Sequence, residues 1–365
     1  YVYGYFEYEG QTWYIQPMER LMGGVPGNYH VLSQESAGSA IAGYCGTHTE
    51  DPVLQQTTAV VESTPIACRT DEIALAANYS MYAQFDDVFE VERHMLSVLN
   101  MVQSNYLEDF TLALSFLVKE LYVVDEAAGD PWTSDTDAET FLTDFTNWGN
   151  QGGFSTRYDI ASLWTDRVFN DSVVGLAWVR EVCSIYRYNV LSDFFNDAQK
   201  LRVLQAHEIG HNFGASHDKP ESLTIMAPRV NTSTTWSNLS TLAINYNLPL
   251  AQRCMEACVE QIAPTAGFSM QLVDTCNLYT VAFADTSIND AISRKWIFEG
   301  GSPEVSFLAQ PEVSYDSAGI YDVQLIVQNM MGMDTLLMQN LIRVPEKTKA
   351  PEIRAVVDTT SREVQ

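Results

Sequence analysis

The chain has 365 residues, of which 46% are hydrophobic, so it is long enough for two or three domains with apolar cores. Its 47 acidic residues outnumber 20 basic ones, and a net charge of -27 would repel a polyanion, so we expect no nucleic-acid partner. No apolar run of about 18 residues is present, so we expect no membrane span. The chain begins at Tyr1 without an initiator methionine or a signal-peptide pattern, which favours a trimmed sequence or a processed product.

Residues 1–67 are predicted to be rich in β-structure. In "YVYGYFEYEGQTWYIQP" the aromatic residues recur at every second position, and Glu9-Gly10 is typical of a hairpin turn. Residues 33–64 are rich in small residues and lack periodicity, which indicates an extended connection.

Residues 68–262 alternate between strand and helix patterns, which predicts an α/β layer structure. Helices are expected in "DVFEVERHMLSVLNMVQSNYL", "DAETFLTDFTNWGNQ" and "NDAQKLRVLQAHEIGHNFG", the last capped by Asn196 or Asp197. Strands are expected in "EIALAANYS", "LALSFLVKELYVV", "YDIASLWTD" and "VVGLAWVREVC".

Residues 263–346 lose the helical period. Short alternating segments separated by Gly, Asp, Asn and Pro predict a small β-sandwich with Trp296 in its core. Residues 347–365 are polar and contain proline, as in a linker or tail.

The stretch "HEIGHNFGASHD" predicts a catalytic zinc site. His207 and His211 lie four residues apart, so one face of a helix can present both to one cation. Gly214 can end the helix in the left-handed region and let the chain return His217 as a third ligand. Three neutral imidazoles leave one position for water, and Glu208 can take the proton of that water and deliver it to a leaving amine.

Other functions stay open at this point. An HExxH sequence alone arises by chance in many helices, although Gly214 and His217 make coincidence less frequent. A zinc aminopeptidase with two histidines and a downstream glutamate as ligands would not need His217. A surface adhesion or carbohydrate-binding protein with a vestigial protease domain would not need the base Glu208.

HExxHxxGxxH followed by a methionine turn resembles the metzincin zinc metalloproteases. The turn is similar to "LTIMAPRV", where Met226 would form an apolar floor beneath the ligands or simply belong to the core. Asp218 after the third histidine resembles the adamalysin or reprolysin (ADAM-like) branch, and the resemblance extends over about residues 69–262. It implies a metzincin catalytic domain of α/β (α+β) class, with a mainly parallel twisted sheet and a long active-site helix.

The resemblance also implies further site residues. An edge strand with Gly175, Leu176, Ala177 and Trp178 would bind an extended peptide as an added strand, and the loop 227–230 would border the adjoining pocket. Glu72 and Asp159 fall at positions that hold a structural calcium ion in relatives, although two carboxylates in an acidic chain are more often solvated.

"GQTWYIQP" and "NYHVL" resemble the end of an adamalysin propeptide, which implies a proenzyme. Cys45 in "GYCGTHTED" is then a candidate cysteine switch, whose thiolate would hold the zinc and keep the enzyme latent. The alternative is a disulfide between Cys45 and Cys68.

The cysteine count leaves the pairing open. Cys183 resembles a family cysteine that bridges to Cys254 or Cys258. If Cys45 binds zinc, five cysteines remain and one is left over. Three pairs would instead favour Cys45–Cys68 and a link such as Cys258–Cys276.

"WIFEGGSPEVS" and "VSYDSAGIYDVQLIVQN" resemble a PKD domain, an immunoglobulin-like sandwich found on secreted bacterial hydrolases. The resemblance implies contacts with a polysaccharide or a protein. Together these resemblances imply a secreted or cell-surface zinc endopeptidase, of bacterial origin, that acts on proteins or peptides.

Overall fold

A computed structural model describes residues 4–8, 11–17, 30–34, 43–47, 68–107, 109–132, 136–193, 197–274 and 279–346. Its five α-helices are α1 (Tyr79–Phe85), α2 (Val88–Leu107), α3 (Ala138–Asn150), α4 (Ala198–Asn212) and α5 (Asn238–Ala251). The first ten strands are β1 (Gly4–Tyr8), β2 (Gln11–Pro17), β3 (His30–Gln34), β4 (Tyr44–Cys45), β5 (Cys68–Ala77), β6 (Ala113–Val123), β7 (Ile160–Thr165), β8 (Val173–Ala177), β9 (Tyr188–Ser192) and β10 (Glu256–Ala257). The remaining strands are β11 (Phe268–Asp274), β12 (Tyr279–Asp285), β13 (Ser293–Phe298), β14 (Val305–Ser306), β15 (Glu312–Tyr315), β16 (Gly319–Asn329) and β17 (Gly332–Val344).

A seven-stranded mixed sheet organises the middle of the chain. Its strand order is β10-β5-β7-β9-β8-β4, and β6 also pairs with β5. Strand β5 is parallel to β6 and β7, β7 is parallel to β9, and β4 is parallel to β8, whereas β8–β9 and β10–β5 are antiparallel. The predicted mixed α/β class is therefore confirmed.

The two faces of this sheet are buried in separate apolar clusters. Ile73, Leu75 and Ala77 of β5 belong to the cluster that contains core residues of α2 and α4. Ala74 and Ala76 belong to the opposite cluster, which includes the apolar residues of α3. Because strand side chains alternate between faces, one continuous apolar strand supplies both layers.

The strand predicted through "VVGLAWVREVC" is too long, because β8 ends at Ala177. Arg180 and Cys183 adopt left-handed backbone conformations, with φ of 64° for both, and such residues cannot continue a strand. Helix α5 has no counterpart in the predicted elements. The amphipathic pattern of α5 is obscured because its exposed side also carries apolar residues. These are Leu239, Leu242, Tyr246 and Leu250.

The N-terminal strands form an antiparallel sheet in the order β1-β2-β3. The register pairs Tyr8 with Gln11, so a two-residue connection joins β1 and β2 at the predicted hairpin, although residues 9 and 10 lie outside the described residues.

The C-terminal strands form a three-stranded sheet, β11-β12-β15, and a four-stranded sheet, β14-β13-β16-β17. Trp296 is fully buried, as predicted, and packs with Phe268, Phe283 and Phe298.

The chain divides into two compact units. One comprises residues 1–266, 287–294 and 326–334, and the other comprises residues 267–286, 295–325 and 335–365. The boundaries at 67, 262 and 346 that the sequence suggests stay a prediction. None of the described helices combines the length and the apolar character that a membrane span requires.

Candidate metal centre

Helix α4 runs through the interior of the protein. The side chain of Asp197 caps its first turn by accepting hydrogen bonds from the backbone N–H groups of Gln199 and Lys200. Every residue of α4 except Lys200 is buried. The helix therefore presents its polar side chains to the protein interior.

His207, His211 and His217 converge at the end of α4. The Nε2 atom of His211 lies 3.0 Å from Nε2 of His207 and 3.2 Å from Nε2 of His217. The predicted spacing thus brings all three imidazoles to one point.

Gly214 makes this convergence possible. Its φ of 94° lies in the left-handed region, which costs glycine little and other residues much more. A Cβ at this position would also lie 2.2 Å from Nδ2 of Asn247. After this turn, the N–H of Ala215 bonds to the carbonyl of Gly210, and the chain leads back to His217.

The second ring nitrogen of each helical histidine has a backbone partner. Nδ1 of His207 lies 2.7 Å from the carbonyl oxygen of Ile225, and Nδ1 of His211 lies 2.8 Å from that of Ala215. Donation from Nδ1 to these carbonyls leaves both Nε2 atoms as acceptors that face the shared point. This is the usual arrangement of metal-binding histidines.

Burial keeps the two helical imidazoles neutral. It lowers the pKa of His207 to about 3, and His217 nearby adds to this effect. Burial, together with His207 and His217, also places the pKa of His211 well below its usual value. Neutral imidazole is the form that binds a metal.

Cys45 completes the cluster from outside the helix. Its Sγ lies 3.4 Å from Nε2 of His211, and its thiol donates a hydrogen bond to Oε2 of Glu208 at 3.6 Å. Cys45 is buried and forms no disulfide with another cysteine of the described residues. Burial and the Glu208 carboxylate raise the pKa of the thiol well above its usual value.

Glu208 lies beside the histidine cluster. It is fully buried, and its Oε1 has no hydrogen-bond partner among the described residues. Burial raises the pKa of Glu208 to about 8. A Cβ at Gly175 of β8 would come within 2.2 Å of Oε1, so only glycine leaves room for this carboxylate.

Met226 packs against α4 near Gly210. It is fully buried, and its Sδ would lie 2.7 Å from a Cβ at Gly210 of α4. Asp218 connects this loop to the next helix, because it accepts hydrogen bonds from Thr224, Ser237 and Ser240.

The donor set fits zinc. A tetrahedral zinc ion with Zn–N bonds of about 2.0–2.1 Å places its nitrogen ligands roughly 3.3 Å apart. The two measured Nε2 separations are close to this value. The ligand atoms of Cys45, His207, His211 and His217 all lie within 4.8 Å of one another. Three imidazoles and one sulfur are ligands that zinc accepts.

Residues 68–255 match the Reprolysin_5 model of metallo-peptidase family M12. The chain belongs to metallo-peptidase family M12. The match contains α4, the three histidines and Met226, so the family assignment and the metal centre concern the same part of the chain.

Two relatives of this M12 chain come from animals. The disintegrin and metalloproteinase domain-containing protein adm-2 of Caenorhabditis elegans is 28% identical over 188 residues, which cover 48% of this chain and 19% of that protein. The zinc metalloproteinase-disintegrin-like atrase-A of Naja atra is 25% identical over 240 residues, which cover 63% of this chain and 39% of that protein. The chain thus spans less than half of either relative, and neither relative supports a bacterial origin.

Residues 43–47 lie along the strand that was expected to bind peptide. Strand β4 pairs in parallel with β8, and the N–H of Gly46 bonds to the carbonyl of Gly175. On the other side, the N–H of Cys45 bonds to the carbonyl of Pro228. In this M12 chain β4, not β8, is the outer strand. Trp178 lies beyond the end of β8, where its ring N–H donates to Thr146.

A cavity of about 390 Å³ opens beside the metal centre of this M12 chain. It is lined by residues of the 43–47 segment, of the start of α3, of the approach to β8 and of the metal loop: Cys45, Gly46, Thr47, Asp137, Ala138, Glu139, Asn170, Asp171, Val173, Leu176, His217 and Pro228.

The predicted calcium site has no support in the structure of this M12 chain. Oε1 of Glu72 forms an ion pair with Nζ of Lys119 at 3.1 Å. Asp159 accepts a hydrogen bond from the N–H of Glu72 and lies 3.8 Å from Arg157. Among the described residues, no group of three possible metal ligands contains Glu72.

The disulfides of this M12 chain resolve most of the cysteine question. Cys183 pairs with Cys254, one of the two partners that the resemblance implied. Cys68 pairs with Cys258 across 190 residues, so the alternative pairs Cys45–Cys68 and Cys258–Cys276 are wrong. Cys276 lies outside the described residues.

Two residues of the site had no signal in the sequence. Thr47 Oγ1 accepts a hydrogen bond from the N–H of Ala177, and Asn212 bonds to the main chain at the ends of β8 and β9. Only their adjacency to Cys45 and His211 could have pointed to them.

Proposed function

We propose that the protein is a zinc-dependent endopeptidase in which His207, His211 and His217 hold the metal. The observation that carries this proposal is the convergence of three Nε2 atoms beside the buried carboxylate of Glu208. When bound, zinc supplies Lewis acidity, which acidifies a water molecule and polarises a substrate carbonyl.

Glu208 acts as the general base and acid. Its buried carboxylate takes one proton from the attacking water and then delivers it to the amine that leaves. The Oε1 atom of Glu208 has no hydrogen-bond partner among the described residues. It lies next to Gly175 of β8, the strand along which the substrate would pair. Burial keeps the pKa of the His207 and His211 rings low, so they do not compete for this proton.

Strand β8 binds the substrate main chain. The carbonyl of Gly175 now accepts from the N–H of Gly46, and the N–H of Ala177 donates to the hydroxyl of Thr47; both groups of β8 would pair with the main chain of an extended peptide instead. Main-chain pairing of this kind accepts many sequences. The cavity beside Val173 and Leu176 receives a substrate side chain.

Residues 43–47 keep the enzyme latent. They pair along β8, where a substrate would lie, and Cys45 would be a fourth ligand beside the three imidazoles when zinc is bound. Removal of the segment by proteolysis exposes the site. The two disulfides agree with folding in an oxidising compartment, so we further propose that the protein is secreted or displayed at the cell surface.

The residues after 263 contribute a PKD-like sandwich that contacts a protein or a polysaccharide. The aromatic core around Trp296 supports an independent β-layer structure there. A purely adhesive function without catalysis is less favoured, because an adhesion protein gains nothing from burying Glu208 next to three histidines.

The decisive experiment compares Cys45→Ala with the double variant Cys45→Ala/Glu208→Gln. Both proteins are loaded with zinc and incubated with a diverse library of peptides. We expect internal peptide bonds to be cleaved by the first variant only. Zinc bound at one equivalent without cleavage by Cys45→Ala would favour the adhesive alternative.

A further inference from the structure

Asn212 connects the metal helix to strands β8 and β9. It is the last residue of α4, follows His211 directly and is fully buried. Its amide nitrogen donates to the carbonyl oxygens of Trp178 at 2.9 Å and Tyr188 at 3.2 Å. Its amide oxygen accepts from Nδ2 of Asn189 at 2.8 Å. All three partners lie where β8 ends and β9 begins.

The main chain makes the same connection. The last carbonyl groups of a helix have no partner within the helix. Here the N–H of Arg180 bonds to the carbonyl of His211 at 2.9 Å, and the N–H of Glu181 bonds to that of Asn212 at 3.0 Å. The segment that leaves β8 therefore caps the helix that carries the metal ligands.

The chemistry of this position favours asparagine. Two carbonyl oxygens need a donor and one amide N–H needs an acceptor, and a primary amide offers two donors and one acceptor on a short side chain. Aspartate has the same shape but would turn an acceptor toward two carbonyl oxygens. Leucine would fill the space but remove the Asn212 partner of the Trp178 carbonyl and of the Asn189 amide, and leave the Tyr188 carbonyl with only the N–H of Trp178 at 3.3 Å, which is costly in the interior.

We propose that Asn212 is a positioning residue that fixes the peptide-binding strand β8 relative to the metal ligand His211. The proposal rests on the function proposed above, since β8 is assigned there as the strand that binds the substrate. The same strand holds the latent segment through Gly175 and Ala177. Asn212 therefore also determines how firmly residues 43–47 are held.

The test compares Asn212→Asp with Asn105→Asp in the full chain. Asn105 is a matched control, because it is also a buried asparagine and bonds to Arg202 and to the carbonyl of Thr234, not to β8. The first readout is the alkylation rate of Cys45, resolved by mass spectrometry of its peptide. The second is amide hydrogen exchange in residues 173–178.

In Asn212→Asp we expect both rates to rise by about tenfold or more, because local opening at β8 becomes easier. In Asn105→Asp both rates stay within about twofold of the wild type under native conditions. In the Cys45→Ala background, Asn212→Asp should raise KM about fivefold or more with kcat nearly unchanged, the sign of lost uniform binding. Zinc content stays at one equivalent.

Equal alkylation and exchange rates in the two variants would overturn the proposal, and so would loss of zinc without a change at β8. If Asn212→Asp does not fold, Asn189→Ala removes only the donor that orients the amide and should give the same changes at smaller size. The thiol and exchange readouts do not need catalysis. An absence of cleavage by Cys45→Ala would therefore count against the proposed function and leave the test of Asn212 intact.

Discussion

Helices α2 and α4 contribute to the same apolar cluster but are built in opposite ways. Most of the buried side chains of α2 are apolar, and residues such as Glu90 and Asn100 on its other side are less buried. Helix α4 is buried almost throughout and includes seven buried polar or charged residues: Gln199, Arg202, Gln205, His207, Glu208, His211 and Asn212. Burial of apolar area stabilises α2, whereas burying polar groups opposes folding unless they are paired. The sequence of α2 is thus explained by packing of its apolar side chains. The buried polar residues of α4 include those that we propose bind the metal and transfer the proton.

The largest effect is expected for Glu208→Gln on α4. Glutamine keeps the size of the side chain but cannot accept the proton, so kcat/KM of the Cys45→Ala protein should fall by about 10³-fold or more. Stability should not fall, because the change replaces a buried carboxyl group, whose Oε1 has no partner among the described residues, with a neutral amide of similar size. Peptide-cleavage kinetics and thermal unfolding measure the two quantities. A large loss of stability together with activity would show that Glu208 is needed for folding.

His217→Ala tests the third ligand, which lies outside the helix. Substitution of a residue that only hydrogen-bonds a metal ligand changes metal affinity by about 10–100-fold. Removal of a ligand itself should therefore weaken zinc binding by at least about 100-fold. Competition with a chelator of known affinity measures this change in the Cys45→Ala background. Unchanged affinity would indicate two histidines with a downstream glutamate ligand, and the metzincin assignment would then be wrong.

Leu99→Ala tests the packing of α2. Leu99 is fully buried in the cluster shared with α4, so its truncation should cost about 3 kcal/mol of unfolding free energy. Zinc affinity and kcat should stay near the wild-type values at temperatures where the variant is folded. Denaturant unfolding monitored by circular dichroism provides the free energy. Loss of zinc binding in the folded variant would contradict the separation between the two helices.

The same contrast explains what the sequence could predict. His207, His211 and His217 are separated by ten residues, so helix geometry and one glycine turn suffice to bring them together. Cys68 and Cys258 are 190 residues apart, and no local rule pairs them. The contacts of Asn212 and Thr47 also depend on how distant strands meet the helix. The outline of the α/β fold follows from periodicity, whereas α5 does not, because its apolar residues lie on both its buried and its exposed sides.

Glu92 of α2 gives the smallest expected effect. It accepts a hydrogen bond from Ser293, and burial raises the pKa of its carboxyl from 4.5 to about 7. The folded state therefore binds this proton more tightly than the unfolded chain does. The contribution to stability is full below pH 4.5 and is lost as the pH rises through about 7.

Glu92→Gln keeps an acceptor for Ser293 and removes the titration. Because Glu92 keeps some contact with solvent, we expect the variant to gain about 1–2 kcal/mol relative to wild type between pH 5 and pH 8. Denaturant unfolding of both proteins at the two pH values measures this difference and cancels the titration of all other groups. An equal stability difference at both pH values would mean that Glu92 ionises normally in the folded protein. In that case the Glu92 carboxylate would be solvated in the folded protein, and packing of apolar side chains would remain the main contribution of α2 to stability.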